Sequence, residues 1–103
     1  MGYFLLQPLF QPGQLLLSPA IHTRGIDPHP LLWRHLAGDW GDLCDYDLEA
    51  NTRALSDGGP ILSRFQAPGI SGEISTVEIM TEDDRSYTVI YVVGEPDFSG
   101  TAC

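Results

Sequence analysis

Asp39, Asp42, Asp45, Asp47 and Glu49 follow one another with no basic residue between Arg34 and Arg53, and a second acidic run stands at Glu82, Asp83 and Asp84. Carboxylates so crowded can hold a cation, move protons, or present negative charge to a cationic partner. Spacing excludes calcium. Asp45-x-Asp47-x-Glu49 imitates the start of a calcium loop, but Ala50 occupies the bend position that demands glycine, and Ser56 stands where the closing glutamate belongs. Transition metals fit no better, because His22, His29 and His35 lack the helical spacing that presents two ligands together, alone or with Cys44. Cys44 lies at a predicted helix start, where a thiol pKa falls, yet Asp42, Asp45 and Asp47 oppose a thiolate there. No metal and no cofactor is expected.

Proton chemistry has one candidate set. His35 with Asp39 or Asp42 forms an acid–base pair in sequence, and Arg85 with Ser86 offers an anion contact. No glycine-rich phosphate loop, GxSxG elbow or HExxH motif accompanies them. A helix-ending histidine that caps carbonyls or pairs with Asp39 explains the same residues structurally. The favoured reading is a non-enzymatic interaction protein whose partner-binding residues are Asp39, Trp40, Asp42, Asp45, Asp47, Glu49, Glu82, Asp83 and Asp84. A small enzyme or ligand-binding domain using His35, Asp39 and Arg85 is the alternative, and a plasmid-maintenance component of toxin–antitoxin type is a third.

The elements that must position these residues are legible in the periodicity. Asp27-Pro28 opens a helix that carries Leu31, Leu32 and Leu36 on one face and stops at Gly38. Gly38-Asp-Trp-Gly-Asp42 is a tight turn, its glycines fixing an unusual backbone and its indole pinned between two helices. A second helix begins near Asp45, capped by Asp42 or Asp45, with Leu48, Thr52 and Leu55 predicted inward, and Gly58-Gly59-Pro60 ends it. Acids in its first turn and Arg53 near its end suit the macrodipole. Strands are predicted over 61–66, 74–81 and 87–93, the last two joined by a hairpin at 82–85. The last is apolar on both faces and so belongs away from a bare edge, with 14–17 as a possible neighbour. Ser18-Pro19 starts a further helical turn. The expected fold is α+β: two to three N-terminal helices packed on a three- to four-stranded antiparallel sheet. Residues 1–13 form an apolar, proline-broken arm, 14–93 a single domain, and 94–103 a loose tail.

Composition narrows the partners. Fourteen acids against five bases, all arginine, give a formal net charge of −9 over 103 residues. Direct nucleic-acid binding is excluded, since scattered arginines cannot displace counterions along a phosphate backbone. A basic protein surface, such as one that normally holds nucleic acid, suits the charge. Cys44 and Cys103 are expected as free thiols in a reducing compartment. No apolar run approaches membrane-spanning length and the apolar start lacks a basic flank, so a cytoplasmic protein is expected.

Gly25-Ile-Asp-Pro28, Arg34-His35, Gly38-Asp-Trp-Gly-Asp42, Asn51, Ile61-Leu-Ser63, Thr81-Glu82, Asp84-Arg85-Ser86 and Thr88 together resemble a family of small proteins carried on bacterial plasmids and integrative elements. Its members are labelled "plasmid-related protein" or "type I restriction endonuclease subunit M". The methyltransferase activity in the second label does not transfer, because the Asn-Pro-Pro-aromatic motif is absent and the chain is too short for a Rossmann-type domain. The resemblance implies a mobile element in a bacterial host cell. In that setting an acidic protein is expected to inhibit a defence complex, anti-CRISPR or anti-restriction, by occupying a basic nucleic-acid-binding surface.

Overall fold

The computed structural model describes residues 7–100 and 102. Tyr3 and Phe4 of the N-terminal arm, and Cys103, lie outside the described residues. The elements run β1 (Gln14–Leu17), α1 (Pro19–Thr23), α2 (His29–Leu36), α3 (Asp45–Asp57), β2 (Ile61–Pro68), β3 (Ile74–Thr81) and β4 (Tyr87–Val92). They form one sheet in the order β1-β4-β3-β2. The α+β class and helix count match expectation, but the sheet is mixed: β2, β3 and β4 form an antiparallel meander, and β1 lies parallel to β4. Strand direction is not encoded in the period-two pattern. It follows from the long crossover through the helices and two strands that separates β1 from β4 in the chain.

Alternation puts Phe65, Ala67, Val77, Ile79, Ile90 and Val92 on one sheet face, where Ile21 of α1, Leu31 of α2 and Ile26 of the loop between them pack against them. A second cluster, Phe10, Leu36, Trp40, Ala54 and Ile61, fills the junction of the arm, α2 and α3. α3 differs from expectation. Asn51 and Ala54 are its buried residues, with Leu48 partly buried, whereas Thr52 and Leu55 are exposed. Among the described residues, no helix is long and apolar enough to cross a membrane.

The opposite sheet face is covered by the segment after β4. Phe98 stacks on Tyr91 at 4.5 Å, and Glu95 accepts hydrogen bonds from the Ser18 hydroxyl and the Ala20 and Val92 N–H groups. Those bonds and the Arg24 charge outweigh the desolvation that would raise the Glu95 pKa, and hold it below the usual carboxylate range. The tail expected to be loose is therefore fastened to the sheet and to α1 through residue 98. Beneath it, fully buried Glu78 accepts from Arg64 Nη2 at 2.9 Å, Tyr91 Oη at 2.6 Å and the Ala102 N–H at 3.2 Å. A buried carboxylate persists because so many donors surround it.

Candidate functional site

The Gly38–Asp42 turn is built to cover a sheet edge. α2 ends in a Schellman motif: the Gly38 N–H donates to His35 O, the Asp39 N–H to Arg34 O, and Gly38 has φ +86°. The chain then runs along β2, where the Arg64 N–H donates to Trp40 O at 3.1 Å and the Asp42 N–H to Arg64 O at 2.8 Å. Gly41 lies so close that a Cβ there would sit 2.0 Å from Arg64 O. Two residues along β2, the Asn51 amide continues the cover. Its Nδ2 donates to Leu62 O at 2.7 Å and its Oδ1 accepts from the Leu62 N–H at 3.0 Å, so one side chain stands in for a missing strand. An amide fits because it carries its donor and its acceptor on separate atoms, so it meets an N–H and a C=O at once.

This arrangement divides the predicted acidic residues. Asp39 accepts from Arg34 Nε at 2.7 Å, a bond that holds its carboxyl below the usual range and offsets its charge locally. Trp40 is turned into the core with 9 % of its surface exposed, and its indole N–H is buried with no hydrogen-bond partner among the described residues. Asp42 and Asp45 are exposed, and neither caps α3: Cys44 is the N-cap residue and makes no side-chain capping bond. Cys44 is disulfide-bonded, which corrects the expected free thiol and removes it as a nucleophile. Glu49 is exposed, with Arg53 at 3.9 Å.

The tip of the β3–β4 hairpin is locked to α3 by Arg85. Its guanidinium donates to the carbonyls of Gly59 (2.6 Å), Glu82 (2.9 Å), Ala54 (3.0 Å) and Asp83 (3.1 Å). Arg85 therefore supplies the positive charge at the C-terminal end of α3, where the last turn has no basic residue of its own. The clamp brings distant acids together. Asp47 of α3 and Glu82 of the hairpin stand on one groove of about 410 Å³ floored by Ala50, Pro60, Leu62 and Met80. Asp57, Asp83 and Asp84 surround a second, open concavity at Gly58-Gly59. Asp57 was not among the expected site residues. The signal was available, since an acid in the last turn of a helix opposes the macrodipole. At the hairpin itself, the Ser86 side chain and N–H lower the Asp84 pKa, and Glu82 accepts from Tyr87 Oη at 2.9 Å.

His35, Asp39 and Arg85 do not converge into an acid–base site. His35 is fully buried and hydrogen-bonded to Ser63 and Thr81, Asp39 pairs with Arg34, and the Arg85 nitrogens serve backbone carbonyls. The proton arrangement around His35 follows from its far end. Pro12 O can only accept, so Thr88 Oγ1 donates to it at 2.7 Å. Thr81 then donates to Thr88 at 2.7 Å and accepts from His35 Nε2–H at 2.9 Å, which leaves Nδ1 to accept from Ser63. Burial first, then the charge of Arg85, lowers the His35 pKa to about 3. A neutral imidazole thus ties α2, β2, β3, β4 and the arm together. Among the described residues, no group of three or more His, Cys, Asp or Glu is placed to hold a metal ion. The chain matches no family model, no curated protein and no solved structure.

Proposed function

We propose that this protein is a small acidic inhibitor carried by a mobile genetic element, which occupies a basic, nucleic-acid-binding surface of a bacterial defence complex of the CRISPR or restriction type. The observation that carries the reading is the flank between α3 and the hairpin, where Asp47, Asp57, Glu82, Asp83 and Asp84 gather around two concavities while Arg85 is spent on carbonyls. Asp42, Asp45 and Glu49 add exposed carboxylates on the loop before α3 and on α3. Charge concentrated on one side steers a cationic surface into contact and speeds association at low salt. The chain's resemblance to mobile-element proteins supplies the setting.

A plasmid-interference assay tests this. Expression of the chain in cells with an active CRISPR or restriction system should raise recovery of the targeted plasmid, and the double variant Asp45→Lys/Glu49→Lys should reverse the effect. No protection against either system by the wild-type chain contradicts the proposal.

A further inference from the structure

We propose that the outer edge of β1 is a homodimer interface, in which two copies of this chain pair their β1 strands antiparallel about a two-fold axis at Leu16. The inference does not depend on the acidic flank. The N–H groups of Gln14 and Ser18 donate to Ser86 O and Ile90 O at 3.0 and 2.9 Å, so even-numbered residues of β1 face β4. Leu15 and Leu17 consequently turn their N–H and C=O groups outward, and among the described residues β4 is the one strand neighbour of β1. Three consecutive leucines are open there, Leu15 at 46 %, Leu16 at 41 % and Leu17 at 51 % exposure. Apart from its four-residue length, the strand has none of the lysines, prolines or inward charges that keep natural edges apart.

Geometry and charge both select a second copy as the occupant. Pairing Leu15 with the partner's Leu17, and Leu17 with the partner's Leu15, satisfies every outward group of the strand reciprocally, as a two-fold interface requires. The four leucines then share the face where Leu15 and Leu17 already line an apolar groove with Pro28, Leu32 and Ile90. Two chains of net charge −9 repel wherever their acids meet. β1 and α1 carry no carboxylate, and the sheet order places β1 at the edge opposite β2 and α3. The carboxylates that approach β1 from other segments keep their charge but are oriented by hydrogen bonds within their own chain: Asp27 with His29, Glu95 with Ser18, and Asp84 with the Ser86 N–H.

Sedimentation equilibrium from micromolar to millimolar concentration tests the interface, with the mass expected to rise from 11.3 kDa toward twice that value. Leu15→Pro deletes an outward N–H while leaving the β1–β4 ladder whole, and should hold the mass at one chain with an unchanged circular dichroism spectrum. Leu16→Cys reports the register without relying on that variant. Opposed residues of a non-hydrogen-bonded antiparallel pair lie about 4.5 Å apart between Cα atoms, within disulfide reach, so oxidation should yield a covalent dimer, whereas Leu15→Cys should not. A wild-type chain that stays monomeric throughout overturns the proposal and leaves the edge to a strand of another protein. A dimer that survives Leu15→Pro in a folded variant, or one that Leu16→Cys fails to cross-link, overturns it equally.

Discussion

β2 and β1 are both edge strands, and the chain treats them in opposite ways. Along β2, backbone groups that would face solvent are taken up by the Gly38–Asp42 turn at Arg64 and by the Asn51 amide at Leu62. Along β1, the outward groups of Leu15 and Leu17 have no such cover among the described residues, and the side chains beside them are apolar rather than charged. The covered edge carries the acidic helix, while the open strand β1 itself carries no acid. An edge sealed by its own chain is free to display charge, and an edge left open and uncharged is suited to pairing. The two ends of one sheet are thereby given different work.

The sharpest way to break that contrast is to unseal β2. Gly41→Val puts a β-branched residue at φ +72° and drives its Cβ into the Arg64 carbonyl, so the loss of stability should be about 3 kcal/mol or more, read as a fall in the urea midpoint. Retention of the wild-type midpoint would mean that the turn does not seal the edge. Asn51→Ala removes both bonds to Leu62 and strands a half-buried N–H and C=O, at a cost of about 2–3 kcal/mol. Equal stability in this variant would reassign Asn51 to mere space-filling.

A third test concerns the polar core beside the sealed edge. The His35 pKa is depressed from 6.5 to about 3 in the folded chain, so the imidazole's contribution is whole above pH 6.5 and drains away as pH falls below it. Stability should drop by about 1.4 kcal/mol per pH unit between pH 6 and 5 on this account. His35→Gln should flatten that slope while lowering the plateau, and a wild-type slope of zero would show that the histidine titrates alike in both states. Smallest of all should be the stability effect of Asp45→Lys with Glu49→Lys, about 1 kcal/mol, because both side chains are exposed and the cost is confined to the helix dipole and the Arg53 pair. A larger change in thermal melting would give those acids a structural role and weaken the reading of the flank as a binding surface.

Much of the fold was legible because burial is periodic. Val77 and Ile79 of β3 face the core at period two, and β4, apolar on both faces, lies between β1 and β3. What escaped depends on contacts that periodicity does not carry. His35 falls four residues after Leu31 on the buried face, yet a histidine there reads as surface until Ser63, Thr81 and Thr88 are known to supply its partners. Asn51 turns inward in place of Thr52 because the neighbouring edge requires a donor and an acceptor at one point. Glu78 stands on the strand face that alternation assigns to water, and Arg64, Tyr91 and the returning tail bury it. The site was half legible. Local acid density pointed to α3 and the hairpin, but the long-range clamp by Arg85 adds Asp57, and the turn withdraws Trp40 into the core.

Amide hydrogen exchange measured at several protein concentrations tests the contrast between the edges most directly. The Leu62 and Arg64 amides should exchange slowly at every concentration. Those of Leu15 and Leu17 should exchange fast in dilute solution and slow as the chain is concentrated. Rapid exchange at Leu62 and Arg64, or protection of Leu15 and Leu17 that is already complete in dilute solution, would contradict the account.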